Sequence, residues 1–138
     1  MLNRTVFFIS DSTGITAGAL GKLLEHFPRT HFTQVRLPFT DTLLKIQHAQ
    51  GEILQVTKQD GGRPVVIMSL GDIALRNALK QSNAYFIDLF STFIDPLGEE
   101  LDQMPLTGSG IAHSITRSSY HDRMEAINTL NQIAITKS

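Results

Sequence analysis

Cysteine is absent from the 138 residues, which excludes disulfides, thiolate nucleophiles and cysteine metal ligands. An excess of charge is absent too: 12 basic residues stand against 13 acidic ones, a formal net charge of −1. Such a balance offers no electrostatic grip on nucleic acid or on an anionic membrane. No apolar run approaches the roughly 20 residues that a membrane-spanning helix needs. Met1-Leu2-Asn3-Arg4-Thr5 leads straight into a strand pattern and leaves no room for a signal peptide. The expectation is a soluble cytoplasmic protein folding as one α/β domain over residues 1–138, long enough to bury a core.

What is present begins with Thr5 to Gly14. Val6-Phe7-Phe8-Ile9 shows no polar face, which suits a strand covered on both sides. Ser10-Asp11-Ser12-Thr13-Gly14 then changes the chemistry to hydroxyls, a carboxylate and a glycine. Leu20, Leu23, Leu24 and Phe27 follow at helical spacing, predicting a helix from Ile15 to Phe27. Helix-start N–H groups lack internal partners and attract anions, so the turn is a candidate anion-binding site. Its plainer role is capping, with Ser12 or Thr13 on the helix and Asp11 in the turn.

Further along, Phe32 to Leu37 alternates in part and suits an edge strand. Thr40 or Asp41 then caps a helix to about Lys58, with Leu43, Ile46, Gln50, Ile53, Leu54 and Thr57 inward. Pro64 to Leu70 is a second strongly apolar strand. Gly71-Asp72 opens a short helix carrying Leu75, Ala78 and Leu79. Ala84 to Asp88 is the fourth strand. Phe90, Phe93, Ile94, Leu97, Leu101 and Met104 keep helical spacing as core residues, with a kink or a restart at Pro96. Met104 to Ser119 is irregular, and a last helix spans about Ser119 to Ala134.

This alternation predicts a three-layer α/β sandwich: a four-stranded parallel sheet, order 2-1-3-4, with helices on both faces. Ligands of such sheets sit beyond the carboxyl ends of the strands, where the winding reverses. That point brings Ser10–Gly14 near Ser69–Asp72, with Asp88 on the same rim.

Most catalytic motifs fail. Gly14, Gly18, Gly21 and Lys22 lack Walker spacing, and Leu23 replaces the hydroxyl residue. The two helical glycines fit close packing instead. Gly108-Ser109-Gly110 does not directly join a strand to a helix. His26, His31, His48, His113 and His121 form no i, i+4 pair, so no metal site is expected. Ser69 stands where a receiver domain needs an acid, and there is no Gly-x-Ser-x-Gly elbow. His113 to Arg123 is locally basic, and Arg117 and Arg123 suit a carboxylate or phosphate. The plainer reading is a solvated loop whose Ser118 or Ser119 caps the last helix.

Taken together, Phe7 to Ala17, Leu37-Pro38-Phe39, Arg63-Pro64-Val65-Val66, Ile111-Ala112-His113 and Arg123 to Ile127 resemble the phosphoenolpyruvate synthetase regulatory proteins. The resemblance lies with their amino-terminal half. Regulators of pyruvate, phosphate dikinase share a similar opening. The resemblance implies a bifunctional enzyme that phosphorylates a threonine of its target with ADP and reverses this with phosphate, releasing pyrophosphate. The family's nucleotide loop, Gly-x-Ser-Arg-x-x-Lys-Thr, occurs nowhere in this sequence. The expectation is therefore part of a longer protein or a shortened product, inactive alone and holding no cofactor of its own.

Two departures accompany the resemblance. Gly18 stands where relatives commonly carry glutamate, and Ile133 to Ser138 lacks the usual acidic Asp-Asp-Gly run. The implied partners are phosphoenolpyruvate synthetase or a related dikinase, the protein's own nucleotide domain, and a second copy in a homodimer. Ser10, Asp11, Ser12, Thr13 and Gly14 lead the candidates for contact with an anion or the target, followed by His113, Thr116 and Arg117. A stand-alone module sensing an anion or binding a protein is the alternative.

Overall fold

The computed structural model describes residues 2–106. A first compact unit runs to Leu89 and a second begins at Phe90. The first holds strands β1 (Leu2–Ser10), β2 (Thr30–Leu37), β3 (Val65–Ser69) and β4 (Tyr85–Asp88). Its helices are α1 (Ile15–Ala19), α2 (Leu43–Asp60) and α3 (Ile73–Leu79), with a 3₁₀ segment over Leu20–His26.

All strand pairings are parallel, and the order is β2-β1-β3-β4, as the apolar patterns predict. Phe7 aligns with Val66 and Phe8 with Ile67, so neighbouring strands present matching faces. Phe7, Ile9, Val66 and Met68 pack with Ile46, Ala49 and Ile53 of α2 and Leu79 of α3. On the other face Val6, Phe8 and Ile67 meet Ala17 of α1 and Leu89, flanked by Leu20 and Leu24. The unbroken run Val6–Ile9 thus feeds two cores, and all four residues are essentially inaccessible. Burying side chains of this size stabilises the fold by about 1.5–3 kcal/mol each.

Two helices differ from the sequence expectation. The first keeps α geometry only to Ala19, then tightens to 3₁₀. Gly18 and Gly21 weaken α propagation by about 1 kcal/mol each relative to alanine. In the tighter turn Leu23 and Phe27 leave the core face and stand at least half exposed. The glycines do serve close packing: a Cβ on Gly18 would lie 2.7 Å from Arg36 Nη1, and one on Gly21 would lie 3.5 Å from Phe8 Cζ. In α2 the cap is Thr42, whose Oγ1 accepts the Lys45 N–H at 3.2 Å, in place of Thr40 or Asp41. Ile46, Ala49 and Ile53 form its buried side, whereas Leu43 and Leu54 point outward.

In the second unit a π-helical turn (Phe90–Ile94) precedes α4 (Asp95–Leu101), with proline in the first turn of α4. α4 therefore starts with Pro96 in its first turn, where its missing N–H costs nothing. The stripe expected to be core is largely outward: Phe93, Leu97 and Leu101 are each more than half exposed. The expected irregular stretch beyond residue 106 and the last helix lie outside the described residues.

Candidate functional site at the carboxyl edge of the sheet

Parallel strands place every strand-to-helix turn on one edge, and here those turns are tied together. After β1, the Asp11 N–H donates to the Ser69 carbonyl at 3.2 Å. The Asp11 carboxylate accepts the Gly71 N–H at 2.9 Å. From the other side, Thr40 N–H donates to the Ser10 carbonyl at 2.7 Å and Phe39 N–H to the Ser12 carbonyl at 2.8 Å. The turn after β1 is thereby sewn to those after β2 and β3, the juxtaposition expected where the winding reverses.

Within the turn, roles divide. Ser10 is buried, and its Oγ accepts the Ser12 N–H at 3.0 Å. Asp11 is half-buried and engaged with β3's turn. Ser12 and Thr13 are exposed. Thr13 Oγ1 takes the Ile15 N–H at a long 3.4 Å. The residue before α1 is Gly14, at φ +84°, and no side chain caps the helix. A left-handed φ is accessible to glycine without the Cβ penalty. Neither Ser12 nor Thr13 is the cap that the sequence suggests. α1 itself is only five residues long, too few aligned peptides for a strong terminal dipole. The turn presents hydroxyls outward from a fixed frame.

The other rim groups are structural. Asp72 caps α3, its Oδ1 accepting the Ala74 and Leu75 N–H groups at 2.8 and 3.2 Å. Buried Arg76 donates from Nε to the Leu70 carbonyl at 3.0 Å and from Nη2 to the Gly71 carbonyl at 3.1 Å. Asp88, at the end of β4, is buried and bridged by Lys80 at 2.7 Å. Among the described residues no group of three His, Asp or Glu is placed to hold a metal. His113, Thr116 and Arg117 lie outside the described residues.

Phe39 stands in one of the stretches that carry the resemblance, but sequence reasoning did not name it as a site residue. Its φ is +56°, uncommon for a bulky residue, and its ring is 53 % exposed. The Ser12 carbonyl holds its N–H, and Lys45 Nζ donates to its carbonyl at 3.0 Å. Ile15, Leu43, Leu44 and Ile73, each at the start of a helix on this same edge, are also exposed. No local pattern announces a left-handed phenylalanine. Helical periodicity places Leu43 inward, and the structure turns it out.

Among the described residues no helix is long and apolar enough to cross a membrane. A family model described as kinase/pyrophosphorylase matches residues 6–131. A protein of Methylobacillus flagellatus named "Putative phosphoenolpyruvate synthase regulatory protein" is 54 % identical over 132 residues, covering 95 % of this chain and 49 % of the relative. Relatives of the same name from Thiocapsa roseopersicina and Aromatoleum aromaticum are 41 % and 46 % identical, over 92 % and 91 % of this chain. The chain spans about half the length of the curated relatives it matches.

Proposed function

This chain belongs to the kinase/pyrophosphorylase family, and we propose that it is the target-contacting part of a phosphoenolpyruvate synthase regulatory protein. In this reading the target is phosphoenolpyruvate synthase or a related dikinase, met in the cytoplasm. A nucleotide-binding half supplies ADP-dependent threonine phosphorylation and its phosphate-dependent reversal. Ile15 to Lys22 run through α1 into the 3₁₀ segment and do not form a phosphate-cradling loop, which supports leaving ADP to the other half. No phosphotransfer step is assigned to them.

One observation carries the reading. Phe39, a large ring in a strained backbone conformation, is held outward beside exposed Ser12 and Thr13. Residues fixed in sparsely populated backbone regions cost about 1–3 kcal/mol and concentrate at binding and switch regions. Aromatic anchors surrounded by small polar groups suit a protein partner. The fixed hydroxyls of Ser12 and Thr13 would orient the target segment, while Asp11 holds the turn.

The experiment is direct binding of the 138-residue chain to purified phosphoenolpyruvate synthase, by calorimetry or surface plasmon resonance. Saturable binding that falls about tenfold with Phe39→Ala, a hot-spot-sized loss, and also falls with a Ser12→Ala/Thr13→Ala double variant supports the reading. Absence of binding, or equal affinity in all variants, removes it.

A further inference from the structure

The opposite edge of the sheet carries a second feature, which the target-contact reading does not use. Arg4, Gly62, Arg63, Val65 and Tyr85 line an open cavity of about 470 Å³. The topology explains why they meet. Arg4 lies in β1, Gly62 and Arg63 lead into β3, and Tyr85 opens β4. Parallel pairing gathers these three strand beginnings side by side.

We infer that Arg4, Arg63 and Tyr85 form a binding site for the oxyanion group, phosphate or carboxylate, of a small molecule. Two arginines line this cavity, and neither is paired with a carboxylate among the described residues. The nearby carboxylate of Asp60, three residues before Arg63, accepts a hydrogen bond from Thr5 Oγ1 at 2.9 Å. Like charges brought together repel, and a bound anion relieves that repulsion.

The two arginines are also held in place. Arg4 Nη2 donates to the Arg63 carbonyl at 2.7 Å, while its Nε is buried with no hydrogen-bond partner. The Arg63 guanidinium lies over the Tyr85 ring, 5.7 Å from its centroid. Ring stacking leaves the guanidinium's N–H groups free to fork onto an oxyanion in its own plane. Gly62 keeps one wall open: a Cβ there would meet nothing within 4 Å. The cavity lies in the range usual for small ligands, about 300–1,000 Å³. With the chain near neutral overall, two local arginines match a single oxyanion better than a polyanion.

The test titrates the ¹⁵N-labelled chain separately with inorganic phosphate, pyruvate and phosphoenolpyruvate, with sodium chloride at matched ionic strength as the control. Saturable amide shifts centred on Gly62, Arg63 and Tyr85, absent with chloride, are expected for at least one probe. Phosphate without pyruvate identifies a phosphoryl site, and the reverse a carboxylate site. Arg63→Gln should weaken binding about tenfold, the scale of losing one charge-assisted fork, while Lys22→Ala, which removes an exposed cation elsewhere, leaves it unchanged. Arg63→Lys, which keeps the charge and loses the fork, should fall between them and serves if Arg63→Gln proves unstable. No saturable shift with any probe, shifts centred on Ser12 to Gly14 instead, or undiminished binding in both Arg63 variants would overturn the site.

Discussion

The Asp11 carboxylate accepts the Gly71 N–H at 2.9 Å, joining turns 60 residues apart in the chain. Hydrogen bonds to charged groups contribute about 1.5–3 kcal/mol. Asp11→Ala is therefore expected to lower stability by about 2 kcal/mol, and Asp11→Asn to recover part of it through its amide oxygen. Urea unfolding of the three proteins checks this, and an unchanged midpoint for Asp11→Ala would dissolve the tie.

Arg76 grips the same turn from below through the Leu70 and Gly71 carbonyls. Arg76→Leu should cost about 3 kcal/mol, because buried acceptors lose charged donors together. Arg76→Lys should recover little, since an ammonium cannot reproduce the fork. A lysine variant unfolding at the wild-type denaturant concentration would contradict this.

Gly18 tests packing against propensity. An added methyl would stand 2.7–2.9 Å from the Arg36 guanidinium, the far end of a flexible side chain. That guanidinium sits 6.0 Å from the Phe8 centroid, worth about 0.5–1 kcal/mol at an exposed site. Alanine regains about 1 kcal/mol of helix propensity. Gly18→Ala should thus fall within about 1 kcal/mol of wild type, and be more stabilising in an Arg36→Ala background. Thermal melts of the double-mutant cycle read the coupling.

Two lysines separate buried from surface pairing. Lys80 meets Asp88, whose side chain is 6 % exposed and which keeps a further interaction. Lys45 meets Asp41 with both side chains 52 % exposed. Lys80→Met should cost about 2 kcal/mol, as it weakens the pairing of a buried charge. Lys45→Met should cost less than about 1 kcal/mol. Equal losses in denaturant titrations would refute the distinction.

Phe39→Gly removes the ring and relaxes the backbone. Relief of left-handed strain, about 1 kcal/mol or more, is offset by the entropy glycine adds to the unfolded chain. Stability should change by less than about 1 kcal/mol, while affinity for phosphoenolpyruvate synthase falls about tenfold. Affinity matching wild type in a folded variant would separate the strained ring from partner binding.

The sheet was legible because its two central strands are covered on both faces. Val6–Ile9 and Val66–Met68 read as unbroken apolar runs, and the crossover rule leaves few orders for four such strands. The rim's position followed from that order. Its details did not, because they depend on distant partners. Asp11 reads as a turn residue until Gly71 is beside it, and Arg76 as a surface cation until two carbonyls close around it. The first helix misled through Leu23 and Phe27, whose spacing is helical although the glycines between Ala17 and Lys22 tighten the coil. The backbone angle of Phe39 carries no local mark, and its backbone partners, Ser12 and Lys45, are not local signals.

The two outer margins of the sheet also govern how copies of the chain can meet. β4 offers only four residues, and β2 carries exposed His31, Thr33, Gln34 and Arg36. A polar, charged margin at β2 resists the annealing of one sheet onto another, the route that leads to fibrils, and the shortness of β4 limits it on the other side. Among the described residues, ribbon-like outgrowth from the sheet's margins is therefore disfavoured even at high concentration.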